Sequence, residues 1–321
     1  MKVFLLSTTL ALAVASTAFA RDNVQVTGSS TVLPYATIVA EAFGENFDLP
    51  TPVVEGGGSG AGRKKLCEGT GETTVDIANS SSKMKEEEWA ACEAVIGKVT
   101  EVRIGYDGIV FASNIDKLSI EDLTPVHLYN ALHESSTAKL WSDIDPALPA
   151  IDILAFIPGT KHGTREVFDV KVMEAGCKEV LGVEKLDDDQ KKACHAVRTD
   201  GVAVDIDGDY TETLARLDAN PTALGVFGLS FYQNNTNKLE VTTVNGVFPS
   251  VETIASGDYP ISRPLFFYVK NAHLGVIPGL KEYVEFFVSD EMAGPDGALA
   301  QYGLVPDPEL ATTQAEVSAI E

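Results

Sequence analysis

Hydroxyl and glycine residues cluster in three turns whose chemistry is that of an oxyanion site. Gly28-Ser29-Ser30-Thr31 follows a β-type stretch at 24–27, and Gly56-Gly57-Gly58-Ser59-Gly60-Ala61-Gly62 follows another at 52–55. Helix-like sequence begins after each. A strand–turn–helix unit of this kind points backbone N–H groups and hydroxyls at one place, and the positive end of the helix dipole adds its attraction. A third segment, Gly159-Thr160-Lys161-His162-Gly163-Thr164-Arg165, repeats the chemistry about a hundred residues on. Three such turns predict an anion site gathered from distant loops.

Alone, the hydroxyl turn reads more readily as a helix N-cap than as a ligand contact, since Ser and Thr are favoured there. The second turn exceeds what a cap needs. Five glycines in seven positions allow backbone to approach a ligand closely. It is not a P-loop, because Arg63-Lys64 stands where Lys-Ser/Thr is required, and neither GxGxxG nor GxSxG fits. Asp76 falls at the expected end of a strand, in Val75-Asp76-Ile77-Ala78. An ionised carboxylate only accepts hydrogen bonds, so beside an oxyanion it pairs with a proton that the ligand carries. Monohydrogen phosphate carries one at neutral pH and sulfate does not. Facing sulfate, the two acceptors would repel at a cost on the order of several kcal/mol. Asp205-Ile206-Asp207-Gly208-Asp209 has a misplaced glycine and Arg216 at position twelve for a calcium loop, and reads as a solvated acidic turn. His162 is the one histidine inside an anion-type turn; neutral, it donates one hydrogen bond.

The elements that must position these turns follow from composition and patterning. Lys2, the apolar run 3–15 and Ala18-Phe19-Ala20 read as a secretory signal over residues 1–20. The chain carries a net charge of −23, or −24 once Lys2 is removed with that signal. So acidic a protein is a poor partner for nucleic acid or an anionic membrane. A small buried oxyanion escapes that argument, since distant charges are screened over about 8 Å at physiological salt. Four cysteines, Cys67, Cys92, Cys177 and Cys194, suit an oxidising compartment. Three pairings are open, and the simplest joins neighbours; a zinc site is the rival, but no CxxC occurs and only His195 adjoins a cysteine.

About three hundred mature residues exceed one ordinary core, which predicts two lobes. Apolar strands alternate with helical patterns, the mark of α/β layers. Strands are expected at 98–104 and 265–269, a buried crossover run at 108–112, and helices at 34–47, 61–68, 120–130, 164–174, 280–288 and 294–302. The expected boundaries are 21–112 for one lobe, 113–259 for the other, and 260–321 for a return to the first, with the ligand cleft between lobes.

Taken in order, the three turns together with Val75-Asp76-Ile77-Ala78, Asp107-Gly108-Ile109-Val110, Gly163-Thr164-Arg165-Glu166, Asn220-Pro221-Thr222-Ala223-Leu224-Gly225-Val226-Phe227-Gly228 and Ser262-Arg263-Pro264-Leu265 resemble the periplasmic phosphate-binding proteins of ABC-type importers. The resemblance covers most of the mature chain. It implies a two-lobed, hinge-closing α/β fold of the type II periplasmic-binding-protein kind, with mixed sheets flanked by helices. It also implies a non-enzymatic, exported monomer that needs no cofactor and hands inorganic phosphate to membrane permease subunits. Ser30, Thr31 and Ser59 would donate to phosphate, Asp76 would accept its proton, and Gly163 and Thr164 would donate from the second lobe. Where the family's motif has serine this chain has His162, and where an arginine often precedes it there is Pro158. Arg165 or Lys161 would then supply the positive charge. The alternatives are a receptor for sulfate, molybdate, tungstate or an organic phosphate, and a secreted hydrolase using Ser59 or Ser30, for which no complete nucleophile motif exists.

Overall fold

The computed structural model describes residues 21–160, 163–208 and 210–321. The expected signal, Lys161 and His162 lie outside the described residues.

Strand and helix alternate from the start. β1 (Gln25–Gly28) ends at the hydroxyl turn, and α1 (Leu33–Asn46) begins just beyond it. Pro34 sits in the first turn of α1, where a missing N–H costs nothing. Tyr35, Ala36, Val39, Ala40 and Phe43 are buried at the spacing of one helix face. β2 (Val53–Gly56) and α2 (Ser59–Leu66) repeat the unit around the glycine turn. β3 (Ile77–Ser80) and α3 (Glu86–Ile96) follow, the latter opening on three glutamates that suit its positive dipole end. Cys67 is bonded to Cys92, which ties the end of α2 to α3.

β4 (Val99–Asn114) carries the chain onward as one strand of 16 residues. Then come β5 (Asp122–Leu123), α4 (Pro125–Leu132), α5 (Trp141–Ile144), β6 (Ala155–Pro158) and α6 (Gly163–Val167). A π-helical stretch, Phe168–Glu174, leads into α7 (Ala175–Leu181), and α8 (Asp188–Cys194) is joined to it by the second disulfide, Cys177–Cys194. β7 (Ala203–Ile206), α9 (Tyr210–Ala219), β8 (Leu224–Gly228), β9 (Leu239–Val241) and β10 (Thr243–Val244) precede β11 (Ser262–Lys270).

The strands form a mixed sheet in the order β2-β1-β3-β11-β4-β8-β6-β7, with β9 also on β4 and a separate β5–β10 ladder. β1, β2 and β3 are parallel, as are β6, β7 and β8, and β4 and β11 run antiparallel to their neighbours. Residues 99–108 of β4 pair with β11, and residues 109–114 pair with β8 and β9. One strand thus serves both halves of a curled sheet. One apolar core draws on residues 24–104 and 265–320, and another on 106–261 plus Val305.

Three expected elements differ. The stretches at 98–104 and 108–112 are one strand, because β11 and then β8 pair along it, with a register shift between Leu265 and Phe266. The helix expected at 120–130 starts only at Pro125, where Thr124 accepts a bond from His127 N–H. The pattern at 294–302 is not one helix: short turns at Asp290–Ala293 and Ala298–Gln301 flank Gly294 and Pro295.

Candidate anion-binding site

The first two turns are locked edge to edge. Gly58 N–H donates to the Gly28 carbonyl at 2.8 Å, and Ser29 N–H donates to Asn79 at 2.9 Å. Such closeness needs glycine. A Cβ on Gly62 would lie 2.4 Å from Gly28 Cα, and Gly28 has φ +138° with its own would-be Cβ 2.2 Å from Asn79 O. Gly62→Ala should therefore push α2 off β1, costing about 1–3 kcal/mol as overpacking does. Urea unfolding measures that loss, and phosphate titration of the same variant should show weaker binding because Ser59 moves with α2.

Ser59 stands at the start of α2, where its Oγ lies 3.1 Å from Ser81 Oγ and accepts Ser81 N–H at 3.1 Å. Behind them Arg63 holds the Ser80–Ser82 turn, donating to Ser80 Oγ at 2.6 Å and to Glu88 at 2.8 Å. In the hydroxyl turn Ser29 Oγ accepts Thr31 N–H at 3.2 Å, while Ser30 is exposed. The Thr31 hydroxyl donates its one proton to Glu166 of α6 and accepts Arg263 Nη2 at 2.7 Å.

Arg263 is the cation at the centre. It sits opposite Asp107 in the β4–β11 pairing, with Nη2 3.9 Å from Asp107 Oδ2 and 3.3 Å from Glu166 Oε2. Its Nε is buried and has no partner. Asp107 is 2 % exposed, and its Oδ2 likewise lacks a hydrogen bond. Burial pushes the Asp107 carboxyl up to about 6, with Glu166 adding to the rise and Arg263 opposing it. Tyr35 of α1 and Tyr210 of α9 are raised by burial and by that same carboxylate. The Tyr210 hydroxyl meets Thr164. Nearby, burial and the Arg263 charge lower Lys171. A groove of about 610 Å³ runs along Arg263, lined by Lys83, Arg103 and Lys171 as well as Glu101, Glu309 and Glu316. Along that groove Lys83 is paired with Glu101, and Arg103 with Asp307 and Glu309.

Thr31, Thr164, Glu166, Asp107 and Arg263 are therefore brought together, with Ser59 and Ser81 on the adjoining turn, and α6 begins at Gly163. Two expectations need correction. Asp76 lies before β3, at the far end from Ser80. Its wholly buried carboxylate is held by Arg21 at 2.5 and 2.6 Å, His273 Nδ1 at 2.5 Å and Gln25 N–H at 2.7 Å. With those partners it has a structural task and faces no turn of the site. Arg165 is engaged within its own lobe by Asp169, Asp205 and the Pro158 carbonyl, at 2.8, 2.7 and 3.0 Å. Arg263, by contrast, reaches both Thr31 and Glu166. Sequence reasoning gave no role to Ser81, Asp107, Glu166 or Arg263. A carboxylate inside the apolar run 104–112 was the available signal for Asp107, since a charge is seldom buried without use or partner.

The fold and the site define a solute-binding protein, and a family model of the PBP superfamily domain matches residues 13–291. Phosphate-binding protein PstS of Staphylococcus haemolyticus is 30% identical over 289 residues, covering 88% of this chain and 80% of that one. Protein SphX of Synechocystis is 27% identical, covering 92% and 82%. Among solved structures, a possible phosphate binding protein from Planctomyces limnophilus superposes with a TM-score of 0.72 at 26% identity, covering 92% of this chain and 97% of that one. An ABC-type phosphate transport receptor from Vibrio cholerae shares the fold at a TM-score of 0.58 and 19% identity, covering 88% and 99%. The chain belongs to the phosphate-binding protein family of the PBP superfamily.

Proposed function

We propose that this protein is a receptor and not an enzyme: exported and monomeric, it binds inorganic phosphate between its lobes and delivers it to the membrane subunits of an ABC-type importer. Phosphate-binding names among its relatives support the ligand. The observation that carries the reading is Arg263, a buried cation with a free Nε, set where hydroxyl turns of both lobes meet. Capture in an open cleft and closure about β4 and β11 would bring Ser30, Thr31 and Ser59 to one side of the anion, and His162, Gly163 and Thr164 to the other. Fixed dipoles, hydroxyls and one guanidinium replace the water that phosphate loses. No described helix is long and apolar enough to cross a membrane.

Calorimetric titration of refolded, ligand-stripped protein tests the reading. One phosphate should bind per chain with a Kd of about 1 μM or tighter, near −8 kcal/mol or better. No binding at millimolar phosphate, or turnover of a chromogenic phosphate ester, would refute it.

A further inference from the structure

We propose that the site takes condensed phosphate as well as inorganic phosphate: one phosphoryl group occupies the anion position at Arg263, and a second extends into the adjoining groove, where Lys171 receives it. The inference rests on the phosphate reading of this site.

The groove has the room. It holds about 610 Å³, within the range of about 300–1,000 Å³ in which pockets take whole small molecules. One phosphate group needs far less. The groove is open although the two halves of the molecule already touch over the site, where Glu166 accepts from Thr31 and lies 3.3 Å from Arg263 Nη2. Ile254 and Tyr259 wall it from the core that also includes the neighbours of Lys171, and Arg103 and Phe266 wall it from β4 and β11. A ligand longer than phosphate can therefore pass from Arg263 into the groove without holding the halves apart.

The groove also has a cation to spare. Lys83 pairs with Glu101 at 3.3 Å, and Arg103 with Asp307 and Glu309, each at 2.6 Å. Arg263, 9 % exposed with a free Nε, is shared by Glu166 and, at 3.9 Å, Asp107. Lys171, partly buried on the π-helical stretch, has neither hydrogen bond nor ion pair among the described residues. Burial strips water from its ammonium, and the like charge of Arg263 lies close enough to lower it further. Two cations in one groove repel until an anion lies between them. Glu316 is the lining carboxylate left without a cation, but it is exposed and screened by solvent. Inorganic phosphate at Arg263 leaves Lys171 unpaired. A second phosphoryl group, joined through one bridging oxygen, carries its charge toward that ammonium.

The test is calorimetric titration of ligand-stripped protein with pyrophosphate and with methylenediphosphonate, whose P–C–P link cannot release phosphate. Each is titrated with and without saturating phosphate. Both should bind one per chain with a Kd of about 100 μM or tighter, and phosphate should compete with both, because they share Arg263. Lys171→Met, shown by thermal unfolding to be folded, should weaken pyrophosphate on the order of tenfold to a hundredfold and leave phosphate affinity unchanged. A parent that binds phosphate and neither diphosphate overturns this proposal alone, with no recourse to the variant. So does diphosphate binding that phosphate does not compete with. A variant that loses both anions equally, or neither, overturns the place given to Lys171 and the proposal with it. A parent that binds no phosphate removes the receptor reading as well.

Discussion

Asp76→Asn is expected to lose about 3–5 kcal/mol of stability and to keep the parent's phosphate-to-sulfate preference. The carboxylate is fully buried and accepts from Arg21, His273 and Gln25 N–H. Breaking one partner of a buried ion pair leaves the other charge uncompensated, and that, more than the lost bond, sets the size of the effect. Arg21 has no ready alternative: its Nη1 already donates to Thr74 O, and its Nε is buried without a partner. Binding should be untouched, because Asp76 is separated from Ser80 by the length of β3, roughly 13 Å at about 3.3 Å per residue. Urea unfolding by linear extrapolation gives the stability change, and titration with both anions gives the preference. A stable variant that has lost its discrimination against sulfate would support the proton-reading role expected of Asp76 and contradict this structural one.

Arg263→Met is expected to weaken phosphate binding roughly 30- to 1,000-fold, the range of about 2–4 kcal/mol that a buried charge-assisted contact carries. Two effects act together. The anion loses the free Nε, and Asp107 and Glu166 lose the guanidinium that lies 3.9 and 3.3 Å from them. The second effect raises the negative potential in the cleft, so the loss should exceed that of removing a single hydroxyl. Arg165→Met is the comparison. That guanidinium already bridges Asp169 and Asp205 inside its lobe, so its removal should lower stability more than affinity. Equal losses of affinity in the two variants would contradict the assignment of Arg263.

Much of this arrangement was legible in the sequence because glycine and hydroxyl residues mark turns through their own backbone chemistry. The strands ahead of Gly28 and Gly56 and the helices after them follow from local pattern, and the disulfides take the simplest of the three pairings that the sequence left open. What local pattern cannot carry is which strand end faces the cleft. Asp76 precedes β3, whereas a carboxylate a few residues on, at Ser81, would have stood beside Ser59; in a short apolar run the two ends look alike. Arg263 and Asp107 were hidden for another reason. They lie 156 residues apart and meet only through the antiparallel register of β4 with β11, a long-range pairing that no window reads. Arg165 misled because it stands beside the right motif, while the carboxylates that engage it come from a turn of helix away and from β7.

The most direct test of the central claim is a crystal structure of the protein grown with phosphate. The account predicts the anion within hydrogen-bond distance of Ser59, Thr164, Arg263 Nε and Asp107, between the two sets of turns. Phosphate lodged elsewhere, with Arg263 still turned to Glu166 and the Asp107 oxygen unfilled, would contradict it.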